Sequence, residues 1–532
     1  MDCPLTRASL LTLGLVGLAA SSRAQDLPNI VIVYADDLGI GDLSCYHADA
    51  AYETPRLDRL AAEGMRFTDA HSPSTICSPS RYGLIAGQIV ARTGRGSRAF
   101  EGPGGPSYVV PEDLTIAEVL QDAGYRTAIF GKWHLGLTWF DAEGERLGGG
   151  FENSLKIDYD RSCPLTDGPQ TMGFDESFVT PNCPTTDPLY LYIENGMVPV
   201  PASMRHERDS LPNPGGKWRW DNDEGWKAEG YRFVDADLLF LEKATAFVRE
   251  HRDEHADQPF FLILSTQICH APVLPAPGFE GATDAGPRGD FVRELDTLTG
   301  QLLDTLEELG IDDETLVVFH ADNGPETLHT IWMREDHDHD AAGGRRGMKR
   351  DGWEGGHRVP LIARWPGVIP AGAVRDQLAC TTDLLVTCAS LAGQDVPDDV
   401  AVDGFDLLPV LVGRRGDDAP VRPHLVTQSF RGEFQLRVGS WKLLAHRGSG
   451  GNDYSRGPMR RFALEDSSPE AAGQLYDLST DPGERRNLWL TEVERRRRME
   501  ALLADLTRAG GRTAPRGRTS LGVGFARETS DR

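Results

Sequence analysis

Pro28-Asn-Ile-Val-Ile-Val-Tyr-Ala35 runs directly into Asp36-Asp37-Leu38-Gly39. The run is β-branched and apolar at successive positions, the pattern of a strand buried on both faces. It ends by delivering two adjacent carboxylates to the edge of the sheet it joins. Thr54-Pro55 followed by Leu57, Leu60 and Ala61 predicts a capped helix closed at Gly64, and Phe67-Thr-Asp-Ala70 resumes strand character. Leu114–Ala123 is amphipathic and stops at Gly124. The short strand Thr127–Phe130 then leads into Gly131-Lys132-Trp133-His134. Pro259–Thr266 and Thr315–His320 are further apolar strands, the second followed by Ala321-Asp322-Asn323-Gly324. Helical stretches at Ala228–Arg249, Phe291–Leu309 and Thr381–Ala392 alternate with them, and Val359–Arg364 adds another strand. This alternation predicts βαβ units, hence an α/β fold with a large, mostly parallel sheet flanked by helices.

Between about Phe140 and Tyr231 the periodicity gives way to Gly-, Pro-, Trp- and Asp-rich sequence, expected to form pocket walls rather than scaffold. There Trp218, Trp220 and Trp226, with Arg219 and Lys227, fit either a carbohydrate-binding wall or internal packing. The segment Trp332–Arg346 contains His337-Asp338-His339-Asp340, with His329 just upstream. It reads first as an exposed polar loop, with a substrate-side loop and a second weak metal site as the other readings. After about Val412 the composition changes. Leu425–Thr427, Glu433–Val438 and Trp441–Ala445 predict short antiparallel strands, and Glu492–Thr507 a charged helix. Residues 413–508 are therefore expected to form a smaller α+β lobe carrying an antiparallel sheet. The Gly-, Arg- and Thr-rich residues 509–532 read as a flexible tail.

The 532 residues carry a formal charge of −26. This balance argues against nonspecific binding to nucleic acid or to an anionic membrane, but not against an anionic substrate held by a local cluster of cations. Residues 1–24 have the layout of a signal peptide: Arg7 in a short polar start, an apolar run from Ala8 to Ala20, and small residues around Ser22-Arg23-Ala24. The run is short for membrane insertion, so an exported protein, periplasmic or extracellular, is expected. Beyond the leader stand Cys45, Cys77, Cys163, Cys183, Cys269, Cys380 and Cys388, an odd set without the Cys-x-x-Cys spacing of a zinc site or redox dithiol. Cys163 with Cys183 is the disulfide to test first.

Asp36, Asp37, Asp322 and Asn323 all follow apolar strands, and strand ends of a parallel sheet converge on one edge. Three carboxylates and an amide oxygen form a hard donor set suited to calcium or magnesium, though each pair alone also suits caps and turns. Cys77-Ser-Pro-Ser-Arg81 begins the next element. Pro79 suits an early helical position, where the field favours anions, and Arg81 stands one helical turn beyond Cys77. A buried structural thiol and a catalytic one both fit this spacing. Lys132 and His134 share one side of an extended segment. With His270 and Lys349 they make a set able to hold an oxyanion and move protons.

Taken together, these motifs resemble the formylglycine-dependent sulfatases, of arylsulfatase type, in the alkaline-phosphatase-like superfamily. Cys77-Ser-Pro-Ser-Arg81-Tyr-Gly83-Leu84-Ile-Ala86-Gly87 resembles their maturation signature, with Ala86 where threonine is often found. Gly131-Lys132-Trp133-His134-Leu-Gly136 resembles a second motif. Asp322-Asn323-Gly324, Gly347-Met-Lys349 and Glu354-Gly-Gly-His-Arg358-Val-Pro360 resemble later ones, and Leu475-Tyr-Asp-Leu478 and Asp481-Pro-Gly-Glu484 a family-like ending. The resemblance implies residues 25–412 as the sulfatase catalytic domain and 413–508 as its C-terminal subdomain. It implies that a separate maturation enzyme oxidises Cys77 to formylglycine (3-oxoalanine), whose hydrate supplies the nucleophilic oxygen. It further implies a divalent cation, usually calcium, on Asp36, Asp37, Asp322 and Asn323, and Arg81 stabilising the modified residue. Lys132, His134, His270 and Lys349 match the sulfate-site positions.

The activity so implied is hydrolysis of a sulfate monoester to an alcohol or phenol and inorganic sulfate. His270, assisted by Lys349, is expected to protonate the leaving oxygen, and His134 to help deprotonate the second hydroxyl of the hydrate so that sulfate leaves. A sulfated small molecule or glycan is the expected partner, with a carbohydrate sulfate ester favoured. A phosphonate or phosphate monoester hydrolase of the same superfamily is one alternative, and a non-catalytic sulfated-glycan-binding protein is another.

Overall fold

The computed structural model describes residues 27–94, 107–148, 151–159, 164–208, 211, 216–219, 222–508 and 510–515. The leader assigned to residues 1–24 lies outside them. Among the described residues, nine strands form the main sheet: β1 (Asn29–Ala35), β2 (Met65–His71), β3 (Arg126–Lys132), β4 (Glu176–Thr180), β5 (Ile193–Glu194), β6 (Phe260–Ser265), β7 (Thr315–Ala321), β8 (Leu361–Arg364) and β9 (Ala373–Cys380). Their spatial order is β9-β2-β8-β7-β1-β6-β3-β4-β5. β1 is central and parallel to both neighbours, β6 and β7. Antiparallel pairs occur where β8 meets β7 and β2, and at the β4–β5 edge.

Side-chain alternation along β1 sorts its residues into two cores. Ile30, Ile32 and Tyr34 face one, and Val31, Val33 and Ala35 the other. The second core is closed by helices α1 (Pro55–Glu63), α4 (Ala236–Glu254) and α5 (Gly286–Glu308). The first is closed by α2 (Cys77–Ala86), α3 (Ile116–Asp122) and α6 (Asp383–Leu391). Both faces of the sheet are thus covered, as an apolar β1 requires. Among the described residues, no helix is long and apolar enough to cross a membrane.

Several expectations shift. α4 begins at Ala236 instead of Ala228, because Gly225–Ala228 pairs as a strand with Leu189–Tyr190 and Ala202–His206, and Gly230 then turns the chain at a positive φ. Within the irregular stretch, expected as pocket wall, β4 and β5 extend the main sheet. Trp218 is buried between His329 and Trp332 and serves packing, while Trp220 lies outside the described residues. Trp332–Arg346 is no exposed loop. Its first half belongs to helix Thr327–His337, and buried His339 faces Asp42 and Tyr52. Of the tail, residues 510–515 are held: the amides of Thr513 and Ala514 donate to the carbonyl of Val402, and Arg92 donates to that of Gly511.

The C-terminal lobe is an antiparallel sheet of β10 (Leu425–Gln428), β11 (Phe434–Val438), β12 (Trp441–Leu444) and β13 (Gln474–Asp477), with α7 (Val493–Thr507) packed on it. A buried ionic network clasps it to the main sheet. Asp69 of β2 accepts from Arg437 of β11 at 3.0 Å. Glu354 takes Arg437 and Arg358 at 2.9 Å and Lys442 of β12 at 3.0 Å. Burial works against both carboxylates, but the surrounding cations outweigh it and hold them below the usual range: Arg358 and Arg437 for Asp69, Lys442 and Arg437 for Glu354.

Carboxylates depressed in the folded state contribute stability above their unfolded pKa, about 4. That contribution is lost as pH falls further towards their folded values. Glu354→Ala leaves Arg437 and Lys442 buried without it, an expected loss of about 3–5 kcal/mol. Urea denaturation at neutral pH measures this, and a loss below about 1 kcal/mol, the level of an exposed ion pair, contradicts the clasp.

Candidate active site

The parallel register sets Ala35 opposite Ala321, so Asp36-Asp37 and Asp322-Asn323 leave the sheet side by side. Ser265, the last residue of β6, pairs with Gly131 of β3, which places Lys132 on the same edge. The Asp37 amide donates to Asp322 Oδ1 at 3.2 Å, and Asn323 Nδ2 donates to Asp37 Oδ1 at 2.7 Å. Asp36, Asp37, Asp322 and Asn323 are fully buried.

Buried carboxylates need compensation. Arg81 projects from α2 one turn after Cys77, forks onto Asp322 Oδ2 at 2.8 and 3.1 Å, and donates to Ser265 Oγ at 2.6 Å. Lys132 Nζ donates to Asp36 Oδ2, and Lys349 Nζ to Asp37 Oδ2 at 2.8 Å. Burial alone would raise Asp36, but Lys132, His270, Arg81 and Lys349 hold it well below the usual carboxylate range. Asp322 goes the other way: burial and the neighbouring Asp36 push it up to about 6 against the pull of Arg81. The lysines are drawn upward for the reciprocal reason, burial being outweighed by Asp36 at Lys132 and by Asp37 at Lys349.

Cys77 opens α2, is buried, and groups with Asp36, Asp37 and His270, their ligand atoms lying within 4.8 Å of one another. Contact with Cys183 and burial push its thiol up to about 12 against Lys132 and Lys349. His270 Nδ1 faces the Ala271 carbonyl at 2.7 Å. That oxygen only accepts, so Nδ1 carries a proton and Nε2 faces Asp37, 3.8 Å away. Burial and Lys349 lower His270, but Asp37 and Asp36 win and raise it to about 9. His134, held at positive φ, lies with Nδ1 3.7 Å from Cys183 Sγ and Nε2 3.9 Å from Asp187. The structure thus gathers all ten residues singled out from the sequence.

Cys183 corrects an expectation. It is a free thiol, 3.7 Å from His270 Nε2 as well as His134, and so belongs to the site; Cys163 lies outside the described residues. Sequence reasoning also passed over Ser265, Asp187, Glu326 and Arg288. Ser265 had the same signal as Asp36, a polar residue ending an apolar strand. Glu326 pairs with Arg350 at 2.9 Å and stands 3.7 Å from Lys349. Arg288 of α5 donates to the carbonyls of Cys269 and Asp37 and to Asp42, tying together the loops that carry His270 and Asp37. No local signal marked either residue.

The donor set fits a hard divalent cation. Asp36 Oδ1 and Asn323 Oδ1 are buried without a hydrogen-bond partner, which polar atoms rarely are, and they stand beside Asp37 and Asp322.

Comparison with known proteins agrees with this geometry. The family model described as Sulfatase matches residues 28–394. An N-acetylgalactosamine-6-O-sulfatase of Bacteroides thetaiotaomicron is 31% identical over 507 residues, covering 90% of this chain and 92% of its own. Arylsulfatase A of Homo sapiens is 36% identical over 492 residues, covering 89% and 86%. A solved Bacteroides thetaiotaomicron structure from work on the metabolism of multiple glycosaminoglycans superposes with a TM-score of 0.74 at 28% identity, covering 91% of this chain and 99% of that one. A sulfatase from Pseudoalteromonas sp. superposes at 0.66 with 26% identity, covering 93% and 95%. Buried cations surrounding a cysteine at the mouth of an aspartate cluster are therefore the centre of a sulfuric ester hydrolase, and this chain belongs to the sulfatase family.

Proposed function

We propose that the enzyme releases inorganic sulfate from a sulfated carbohydrate, using residue 77 as formylglycine and a divalent cation, calcium in preference to magnesium. The single observation that carries the chemistry is the position of Cys77, at a helix start beside Asp36, Asp37 and His270. The near full-length similarity to an N-acetylgalactosamine-6-O-sulfatase supports a sugar as the carrier of the ester. The signal-like residues 1–24 support export, and the Cys-x-Pro-Ser-Arg motif implies a maturation enzyme as partner.

Asp36, Asp37, Asp322 and Asn323 would hold the cation, which when bound draws charge from the sulfuryl oxygens. Once hydrated, the aldehyde at residue 77 supplies one hydroxyl for attack on sulfur and a second whose deprotonation expels sulfate. Arg81, fixed by Asp322 and Ser265, stabilises negative charge developing at residue 77. Lys132 and Lys349, both buried, bring charge-assisted donors to the sulfate oxygens. His270 turns Nδ1 to the Ala271 carbonyl and leaves Nε2 on the Asp37 side, from where it would give a proton to the leaving oxygen. His134, between Cys183 and Asp187, would serve as the base for the second step.

Mass analysis of the peptide carrying residue 77 from active protein is expected to find a species lighter than cysteine. Full turnover by material wholly unmodified there overturns the nucleophile. Asp322→Ala is expected to weaken calcium binding by at least about 100-fold in calorimetry, because the substitution removes an anionic ligand. An unchanged affinity removes Asp322 from the cation site.

Sulfate release from position-defined sulfated sugars, set beside an activated aryl sulfate, tests the substrate class; turnover of the aryl ester alone contradicts it. His270→Ala is expected to lower kcat about 10²- to 10⁴-fold for the sugar, whose alkoxide leaves poorly, and less for the aryl ester. Equal losses on both argue against His270 as the acid.

A further inference from the structure

A cavity of about 630 Å³ opens between the main domain and the C-terminal lobe, and its lining includes seven arginines and three aspartates. That is a sharp local inversion in a chain of net charge −26. The aspartates are already engaged: Asp340 with Arg334 at 2.7 Å, Asp453 with Arg456 at 2.7 Å, and Asp466 by the Ser468 amide at 2.9 Å. Arg461 pairs with Glu335. The other five, Arg345, Arg346, Arg431, Arg447 and Arg485, have no carboxylate partner among the described residues, although three of them donate to carbonyls such as those of Gly451, Ala471 and Glu484. Arg345 Nε has no hydrogen-bond partner at all, and burial together with nearby Arg358 pulls this guanidinium down from its ordinary range.

One turn of the chain links the cavity lining to the catalytic centre. Gly347 and Met348 line the cavity, and the next residue, Lys349, carries the ammonium bound to Asp37. Asn452 lines it too and donates to the Lys349 carbonyl at 2.9 Å. The segment Trp332–Arg346, for which a substrate-side loop was one of the readings, supplies Arg334, Arg345 and Arg346 to this wall. Convergent arginines repel one another, and Glu354, Asp69 and Glu484 offset this at Arg345 without forming an ion pair with it; a bound oxyanion relieves the rest.

We propose that this cavity binds a second anionic group, sulfate or carboxylate, on the same sugar chain whose ester is cut at residue 77. The proposal rests on the carbohydrate-sulfate reading above and narrows it: the substrate is an acidic oligosaccharide bearing at least two charged groups. A volume of this size holds one or two sugar units and excludes a nucleic-acid duplex.

The double variant Arg431→Gln/Arg485→Gln tests it, since both side chains are exposed and neither touches the catalytic cluster. With a monosulfated monosaccharide or an aryl sulfate, kcat/KM is expected to stay within about twofold of the parent. With a disulfated or uronate-containing oligosaccharide, kcat/KM is expected to fall about 10- to 100-fold through KM, at unchanged kcat. Equal kinetics of parent and variant on the oligosaccharide overturn the proposal. So does inhibition of aryl sulfate turnover by inorganic sulfate that the double variant relieves, because this assigns the cavity to free product. If the parent cleaves no sulfate ester, the catalytic reading has failed, and calorimetry still decides the cavity. Cys77→Ala protein with the same oligosaccharide is then expected to lose at least about tenfold in affinity when the two glutamines are added, and an unchanged affinity overturns the proposal.

Discussion

The arrangement depends on a buried charge balance at the C-terminal end of β1. Asp36, Asp37 and Asp322 lie against Arg81, Lys132 and Lys349, all of them out of contact with solvent or nearly so. None of these charges is tolerable alone, since removing one partner of a buried pair leaves the other uncompensated at a cost of about 3–5 kcal/mol. The fold meets this demand through register. With β1, β6 and β7 parallel, Ala35, Ser265 and Ala321 close their strands at one edge. A shift of one residue would turn Asp36 or Asp322 into an apolar core. The same register that buries Ile30 to Ala35 on two faces therefore aims the carboxylates.

Three of the six charged groups come from the loops directly after β1 and β7, and Lys132 ends β3. These were legible because a polar residue closing an apolar strand is a local signal. Arg81 was legible from its spacing to Cys77. Lys349 was legible only through a motif, and the reason is structural: it sits on no strand or helix, and its position is set by the Pro325 carbonyl and by Asn452 from the C-terminal lobe. Arg288 and Glu326 were invisible for a related reason. Arginine and glutamate on helices or turns are ordinarily solvated, and only the packed structure turns them inward. The edge strand β9 was missed because Val374 to Asp376 alternate in exposure with charged residues, the composition of a blunted sheet edge.

Motif resemblance does not sort residues by role, but geometry does. Glu354 to Pro360 reads as one more signature block, yet Glu354 and Arg358 meet Asp69, Arg437 and Lys442 and touch none of the carboxylates at the catalytic centre. Their work is to hold the lobe. Cys183 moves in the opposite direction, from a disulfide candidate to a thiol placed between His134 and His270. Asp187 stands 3.9 Å from His134 Nε2 and Asp37 3.8 Å from His270 Nε2, so the thiol joins two histidines that each face a carboxylate.

The lobe also supports the turn that carries Lys349. Asn452 supports the Lys349 main chain, Gly352 donates to the Ser449 carbonyl, and Tyr454 donates to Asp351 at 2.6 Å. These contacts hold the turn that presents the lysine. The clasp at Glu354 holds the lobe that supplies these contacts, and with it the wall behind the ammonium facing Asp37. Electrostatic stabilisation is effective only when its donors are in place before charge develops. Under the proposed mechanism, the ionic network bears on the reaction through the position of one lysine.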